Sequence, residues 1–346
     1  MAGNRWLKLA ISGTVLLFVL AWWLTRPEPL AALHAADHNP AEADIRRGEY
    51  LVNIAGCVSC HTDAEGQGAY LAGGLGLDTP FGSFFAPNIT SHRTAGIGAW
   101  NFTDFVRAMH LGIAPTGERY YPVFPYTSYT KIKFDDLRAM YAYLQTTPPV
   151  ATRNKPHETH WYINRLLMPV WQSLFFQPGV FQPDAGLDET LVRGAYIANA
   201  LTHCSECHTP RNLLGAARPE LFLAGTEAGP DGDPVPNITS SEADGIGDWD
   251  EDELLLYLEE GELPDGDYAG GAMVDVIDNS TSLMDPADLQ AVVSYILSVP
   301  AVDQGYLGSE QGVRVRGQSK NTQQRSCNAN RGGSIFALTP YSDPLL

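Results

Sequence analysis

Two cysteine pairs, each followed directly by a histidine, carry the clearest chemistry in this sequence. The two motifs share the pattern C-x-x-C-H and run from Cys57 to His61 and from Cys204 to His208. This spacing is the attachment signature of c-type haem, in which both thiols bond to the haem vinyl groups and the histidine reaches the iron. We therefore predict two covalently bound haem c groups. The attachment residues would be Cys57, Cys60, Cys204 and Cys207, and the proximal iron ligands would be His61 and His208.

Two other uses of such cysteines are weighed against haem. A zinc site needs about four ligands, which two C-x-x-C pairs with histidine could supply. A thioredoxin-like redox motif needs a βαβ context, which the sequence lacks. The repetition of a histidine directly after each second cysteine favours haem. Cys327 has no such neighbour and receives no predicted role.

The motifs belong to an internal duplication. Pro87–Ser91 (PNITS) recurs at Pro236–Ser240, and Gly96–Trp100 recurs with one change at Gly245–Trp249, both at an offset of 149 residues. Two landmarks in the same order at one offset indicate homologous domains. We predict cytochrome-sized domains at 44–150 and 185–300, called here the first and second repeat, with a connector at 151–184.

Short helices between long loops dominate both repeats, so the predicted class is mainly α. No convincing run of alternating strand residues is present. Apolar residues at helical spacing predict helices at 46–54, 103–111 and 135–144 in the first repeat, and at 191–201, 253–258 and 286–297 in the second.

The sixth iron ligand is predicted for one repeat only. Met273 follows two glycines ahead of the closing helix, and a methionine there would raise the iron potential; Met284 is its rival. The equivalent loop of the first repeat, 120–126, contains no methionine. For that iron the sequence leaves open a ligand elsewhere or an open coordination position. The residues considered are Met109, His110, Met140 and Met168.

Asn88 and Asn237 occupy matching places in the two repeats. Each begins an N-x-T triplet, the pattern of glycosylation acceptors. Their repetition favours a structural role instead, for which a polar contact to a haem propionate is the hypothesis.

The N-terminus predicts a membrane anchor. Arg5 and Lys8 precede the apolar run Leu9–Leu24, which has two tryptophans near its outer end, as is typical of a membrane–water interface. We predict an uncleaved anchor at 1–26, a linker at 27–43, and the haem domains outside the bacterial inner membrane, in the periplasm. A cleaved signal peptide ending near Ala35 or Ala36 is the alternative. The tail, 301–346, is predicted to be mostly disordered.

The net charge argues against nucleic acid as a partner. The acidic residues are also unevenly distributed along the chain. The chain of 346 residues has a net charge of −18, which argues against nucleic acid because phosphate binding needs basic patches. The second repeat alone contains 3 basic and 23 acidic residues. This excess predicts a docking face for a basic redox partner; plain solubility is the alternative.

The chain resembles the membrane-anchored cytochrome c subunits of bacterial periplasmic alcohol, gluconate and aldehyde dehydrogenases. The resemblance covers roughly 44–300 and rests on both C-x-x-C-H motifs, both PNIT segments, both G-I-G-x-W segments and the Y-P-x-x-P-Y loop. It implies two tandem class I cytochrome c domains. It also implies electron transfer from a dehydrogenase subunit to quinone, another cytochrome or an oxidase. Several such subunits carry three haems and many have methionine where Phe124 stands, and this chain departs from both patterns.

Two other functions remain as alternatives to electron carriage. An open iron in the first repeat could serve a dihaem enzyme of the thiosulfate dehydrogenase or peroxidase type. In the third alternative the protein mainly tethers a catalytic subunit to the membrane.

Overall fold

The computed structural model describes residues 42–227, 229 and 232–304. The predicted anchor, the linker up to residue 41, and the tail from residue 305 onward with Cys327 lie outside these residues. Within the described ranges, no helix is long and apolar enough to cross a membrane.

Helices form most of the regular structure, as the sequence predicted. The first repeat contains α1 (Glu42–Ile54), α2 (Cys57–His61), α3 (Phe102–Leu111), α4 (Tyr126–Tyr129) and α5 (Phe134–Thr146). The connector contains a 3-10 turn (Arg165–Leu167) that leads directly into α6 (Met168–Phe175). The second repeat contains α7 (Glu189–Tyr196) with a π-helical extension (Ile197–Leu201), α8 (Ser205–His208), α9 (Glu251–Glu260), α10 (Ala272–Asn279) and α11 (Pro286–Ser298). Two further 3-10 turns lie at Pro219–Leu221 and Thr281–Leu283.

A small antiparallel sheet, which the sequence did not predict, lies in the first repeat. Its strands are β1 (Gly76–Thr79), β2 (Gly82–Phe85) and β3 (Glu158–Thr159), in the order β1-β2-β3. Strands of two to four residues are too short to show the alternation by which strands are recognised in a sequence. Because β3 belongs to the connector, the connector is attached to the first repeat by backbone hydrogen bonds.

The tail predicted to be mostly disordered was assigned from residue 301, but its first four residues are folded. The backbone oxygen of Val302 accepts a hydrogen bond of 2.8 Å from the buried Asn237 side chain. The Gln304 side chain donates to the Ala224 oxygen at 2.6 Å. Residues 301–304 are therefore part of the folded second repeat.

Equivalent helices of the two repeats begin in the same way. At α3, the Asn101 side chain accepts from the Asp104 backbone while Asp104 bonds back to the Asn101 N–H. At α9, Asp250 and Glu253 form the same capping box. An acidic side chain in the first turn also interacts favourably with the helix dipole. The acidic run at the start of α9 thus caps this helix.

Each repeat is organised by a close crossing of its first and last helices. Gly48 of α1 lies against the backbone of α5, and a Cβ atom placed on it would be 2.0 Å from the Ala139 oxygen. Gly194 of α7 lies in the same way on α11, with a Cβ position 1.9 Å from the Ala291 oxygen. Both helix pairs cross at a distance that only glycine permits.

Two apolar clusters surround this framework. The larger is continuous through both repeats and includes buried residues of α1, α5, α7 and α11. The smaller fixes the connector to the first repeat through Met168 and Trp171, which pack near Phe84, Tyr121 and Tyr126. The connector is therefore a packed part of the fold rather than a free linker.

The repeats are joined by buried polar contacts of matching residues. Tyr196 of the second repeat donates a hydrogen bond of 2.5 Å to Asp136 of the first. Asp136 is 2% exposed and also pairs with Arg47, whose Nε lies 3.0 Å from it. The carboxylate is thus satisfied from both repeats at once.

The reciprocal contact is made by Tyr50 and Asp288. The Tyr50 hydroxyl donates to Asp288 at 2.7 Å, and Arg193 binds the same carboxylate with two hydrogen bonds of 2.8 and 2.6 Å. Burial alone would raise the pKa of Asp288, but hydrogen bonds from Arg193 and Tyr50 lower it below its ordinary value. Each repeat therefore supplies a tyrosine to the aspartate of the other, as in an isologous interface.

Substitution of Tyr196 should weaken this interface more than substitution of Tyr50. Tyr196→Phe removes one of the partners of a buried carboxylate, and we expect a loss of about 2 kcal/mol in the free energy of unfolding. Tyr50→Phe leaves the two Arg193 hydrogen bonds in place, so a loss of about 1 kcal/mol is expected. Denaturant unfolding of the haem-loaded protein measures both. Equal losses, or no loss at Tyr196, would contradict this ranking.

Candidate functional site

The two cysteine motifs form short helices that follow a residue with left-handed backbone. Gly56 has φ 67° and His203 has φ 43°, and each directly precedes the first cysteine of its motif. A Cβ atom placed on Gly56 would lie 3.8 Å from His203 Nε2. The two predicted attachment motifs therefore approach each other at the interface between the repeats.

The two predicted proximal histidines are oriented in the same way in both repeats. His61 Nδ1 lies 2.6 Å from the Pro87 oxygen, and His208 Nδ1 lies 2.8 Å from the Pro236 oxygen. A carbonyl oxygen only accepts, so Nδ1 carries the proton and Nε2 keeps its lone pair. Burial lowers the pKa of both imidazoles, which keeps them neutral. This is the donor atom and protonation state that an axial iron ligand requires.

The cysteine thiols fit covalent attachment better than a zinc site. None of Cys57, Cys60, Cys204 and Cys207 is in a disulfide. Burial raises the pKa of Cys57 to about 12 and that of Cys207 to about 11. In the part of the chain that the structure describes, no group of three or more histidine, cysteine or acidic side chains is arranged to hold a metal ion.

The PNIT segments hold the loops that orient the histidines. Asn88 is 2% exposed; its amide donates to the Val150 oxygen at 2.7 Å, and its side-chain oxygen accepts from Thr90 N and Oγ1. Asn237 is equally buried and makes the matching contacts to Val302 and Thr239. The structural role predicted for both asparagines is confirmed. A contact of these asparagines with a haem propionate stays a hypothesis.

Replacement of Asn237 should destabilise the second repeat strongly. Asn237→Ala leaves the Thr239 N–H and hydroxyl and the Val302 oxygen without their buried partner, so we expect a loss of about 2–4 kcal/mol in stability. The loop that carries the Pro236 oxygen should also loosen. Thermal unfolding of the haem-loaded variant measures the effect, and Asn279→Ala, on the exposed end of α10, serves as control. A shift no larger than that of the control would contradict this role.

A second repeated segment near the histidines escaped the sequence analysis. Gly73 N–H donates to the His61 oxygen at 2.7 Å, and Gly225 N–H donates to the His208 oxygen at 2.7 Å. Both glycines have positive φ and no room for a Cβ atom. Buried Leu71 and Leu223 also have positive φ, at 56° and 58°. The repeat of Leu-Ala-Gly at 71–73 and 223–225 was the available signal, since non-glycine residues with such backbone mark constrained sites.

The third residue of each motif contacts the other repeat. Glu206 accepts hydrogen bonds from Thr127 and Ser128 of α4, at 2.7 and 2.6 Å, and pairs with Arg211. Burial alone would raise the pKa of the Glu206 carboxyl, but Arg211 and the two hydroxyls lower it. Ser59 donates to the Asp275 oxygen of α10 at 3.2 Å. These contacts fix the two motifs relative to each other.

An aromatic pair lies beside both motifs. The Tyr129 ring meets the His203 ring edge-on at 5.3 Å between centroids, and its hydroxyl donates to the Ala55 oxygen at 2.9 Å. Phe124 packs on Tyr129 at 5.7 Å. Tyr129 therefore contacts a residue that precedes each motif, Ala55 in the first repeat and His203 in the second.

The predicted sixth ligand lies in a different element from the one expected. Met273 is the second residue of α10, not part of a loop, because the helix begins directly after Gly271. It is partly buried against the core, whereas its rival Met284 is 7% exposed within the core. Met273 stays the prediction for the second repeat. The residue at the same offset of 149 in the first repeat is Phe124, whose ring has no atom that could bind iron.

The other candidates for the first iron have structural partners. His110 is buried, and its Nε2 lies 2.8 Å from the Ile132 oxygen. Met109 and Met140 are in the larger core, and Met168 is in the cluster that holds the connector. The structure gives each of these residues a packing role.

Known proteins are similar to this chain in sequence. Residues 45–148 match the family described as Cytochrome c. A dihaem cytochrome c-type protein of Cereibacter sphaeroides is 37% identical over 291 residues, which cover 81% of this chain and 93% of that protein.

Dehydrogenase subunits are similar as well. The gluconate 2-dehydrogenase cytochrome c subunit of Pantoea cypripedii is 37% identical over 278 residues, 78% of this chain and 62% of that subunit. The quinone alcohol dehydrogenase cytochrome c subunit of Gluconobacter oxydans is 36% identical over 322 residues, 88% of this chain and 64% of that subunit. The chain thus spans somewhat less than two thirds of these two relatives.

Proposed function

Because the chain belongs to the cytochrome c family, together with dihaem cytochromes, we propose that it carries two haem c groups and transfers electrons from a dehydrogenase. Cys57, Cys60 and His61 would hold one haem, and Cys204, Cys207 and His208 the other. The bound haem supplies a one-electron couple between ferrous and ferric iron. The protein supplies the ligands, their orientation and the surrounding burial.

The approach of the two motifs carries this proposal. Ser59 and Glu206, one in each motif, are hydrogen-bonded to the opposite repeat. Tyr129 and His203 fill the space beside them. With their attachment residues fixed in this way, the two redox centres would stay at a constant separation without a domain movement.

The partner is proposed from the relatives and from charge. Their names include cytochrome c subunits of gluconate, alcohol and fructose dehydrogenases. A dehydrogenase catalytic subunit would reduce the chain, and a quinone, a cytochrome or an oxidase would accept its electrons. The acidic second repeat suits a basic surface on one of these partners, because complementary charge speeds association.

The proposed location is the periplasmic face of the bacterial inner membrane. The apolar run Leu9–Leu24 would be a single anchor, with Arg5 and Lys8 on the cytoplasmic side. Haem domains on the other side would lie beside periplasmic dehydrogenases and membrane quinones.

Substrate-driven reduction in native membranes tests this function. Gluconate, an alcohol, fructose or nicotinate, the substrates in the names of the relatives, is added while c-type haem absorbance is followed. We expect one substrate to reduce haem in membranes that contain the chain, and not in membranes in which Cys57 and Cys204 are both serine. Substrate oxidation at the same rate through the respiratory chain in both membranes would overturn electron transfer and favour the tether alternative.

A further inference from the structure

An exposed apolar surface runs along the connector and continues onto the second repeat. Leu166, Leu167, Val170 and Leu174 are 82, 56, 47 and 67% exposed. A second exposed leucine pair, Leu213 and Leu214, lies near the same helix, because the Trp171 indole donates to the Leu214 oxygen at 2.8 Å. The apolar connector face is defined here as Leu166, Leu167, Val170, Leu174, Leu213 and Leu214. Leu213 is 96% exposed.

The opposite side of the same helix is firmly packed. Met168 and Trp171 are buried in the smaller apolar cluster. Gln172 is 4% exposed and donates to the Leu111 oxygen at 3.1 Å. The apolar connector face is therefore a fixed surface, and its leucines have no route into the core. Clustered exposed leucines of this kind mark an interaction site, whereas exposed Tyr268 and Leu283 of the second repeat lie apart in sequence.

Charge indicates which surface could cover this face. Neither 160–183 nor 207–219 contains an acidic residue, although the second repeat as a whole has 23. Two of the three basic residues of that repeat, Arg211 and Arg218, lie in the second of these segments, and each pairs with a glutamate that flanks it, Glu206 and Glu220. Arg165 of the connector directly precedes Leu166. Trp161, 93% exposed, lies in the turn before the 3-10 segment Arg165–Leu167 that leads into α6. Leucine with flanking arginine and an interfacial tryptophan is the composition of helices that lie on anionic membranes.

The predicted anchor and linker, which precede α1, would keep the apolar connector face near a bilayer. The apolar run Leu9–Leu24 ends 17 residues before α1 begins. A chain of that length reaches at most about 60 Å when fully extended. A body on such a tether meets the membrane surface at high effective concentration.

We propose that the apolar connector face lies on the surface of the lipid bilayer. Its leucines enter the boundary between headgroups and acyl chains, and Trp161 lies at headgroup level. The strongly acidic α9 region is repelled by anionic lipid and faces the aqueous side. This inference rests on the proposed anchor but not on the electron-transfer function.

Lipid photocrosslinking tests the position of this face. The full-length, haem-loaded protein is reconstituted in nanodiscs of phosphatidylcholine and phosphatidylglycerol in equal parts. A phospholipid with a diazirine near the glycerol end of one acyl chain is included. After illumination, mass spectrometry locates the labelled peptides. We expect labelling within 161–175 and 212–216 in addition to the apolar run 9–24.

A charge-matched pair of variants gives the control. Leu166→Asp with Leu174→Asp should lower labelling of 161–175 by roughly tenfold or more, because each leucine that enters the acyl-chain boundary is replaced by a carboxylate, which is costly to bury there. Tyr268→Asp with Leu283→Asp should leave it unchanged. An unchanged haem content per chain shows that each variant is folded.

The remaining outcomes overturn the proposal. Labelling of 9–24 alone would show an anchored protein whose connector face is off the membrane. Labelling of neither segment would remove the anchor and this inference together. Crosslinking of 161–175 to a dehydrogenase subunit in native membranes, with no lipid adduct, would assign the face to that protein instead. Each of these results leaves the haem-reduction test unaffected.

Discussion

Gly48→Ala lowers the free energy of unfolding of the haem-loaded protein by about 3 kcal/mol or more. The added Cβ atom would lie 2.0 Å from the Ala139 oxygen and 2.8 Å from the Tyr143 Cβ atom, so α1 and α5 must separate. Helix propensity alone predicts the opposite sign, a gain of up to about 1 kcal/mol on replacing a helical glycine by alanine. The measurement therefore separates packing from propensity.

The equivalent glycine of the second repeat gives a second test of this result, and a glycine of the connector gives a control. Gly194→Ala should cost a similar amount, because its Cβ position is 1.9 Å from the Ala291 oxygen and 2.8 Å from the Tyr295 Cβ atom. Gly179 has no atom within 4 Å of its Cβ position, so Gly179→Ala should be near neutral. Thermal unfolding of the three variants measures the set. A stabilised Gly48→Ala variant would show that the two helices do not cross as described.

Met273→Leu opens the second iron and lowers its potential by roughly 0.1 V or more, since methionine is the axial ligand that raises it. Carbon monoxide should then bind one more haem per chain than it binds in the unaltered protein. Leucine keeps the volume of the side chain, so the packing of α10 should change little. Carbon monoxide difference spectra and a redox titration measure the two effects.

Met284→Leu is the matched control for the ligand assignment. Met284 is 7% exposed in the core, and a volume-conserving exchange there should leave both potentials in place. If carbon monoxide binding changes in Met284→Leu and not in Met273→Leu, the ligand is Met284. In the unaltered protein, carbon monoxide binding would place the open position in the first repeat, where Phe124 stands.

The residues predicted to attach haem could be named from sequence because their chemistry depends on local spacing. Cys57, Cys60 and His61 lie within five positions, and the repeat at Cys204–His208 excludes coincidence. The six predicted helices are also present, since apolar spacing is local, whereas α4, α6 and α10 were not predicted. The boundaries of α3 and α5 differ from the predicted ones by two residues or fewer.

Contacts between residues that are far apart in the sequence could not be predicted from local spacing. Asp136 and Tyr196 are 60 positions apart, and nothing in either segment indicates the other. The Pro87 oxygen that orients His61 is a backbone atom, which no side-chain pattern reveals. Met273 was assigned to a loop because two glycines precede it, yet Gly271 is the residue before the first turn of α10.

The two repeats have equivalent helix arrangements but differ in the features that bear on function. The first repeat holds the connector, through β3 and the cluster around Trp171, and has Phe124 at the ligand position. The second has Met273 at that position and contains most of the acidic residues. We infer that the acidic part of the second repeat faces a redox partner, while the connector, which is fixed to the first repeat, holds the body against the membrane.

Haem content per chain tests the central claim most directly. The full-length protein and two variants, Cys57→Ser with Cys60→Ser and Cys204→Ser with Cys207→Ser, are analysed by pyridine haemochrome spectra and intact mass. We predict two c-type haems in the unaltered protein and one in each variant. A single haem in the unaltered protein, or an equal haem content in all three proteins, would contradict the account.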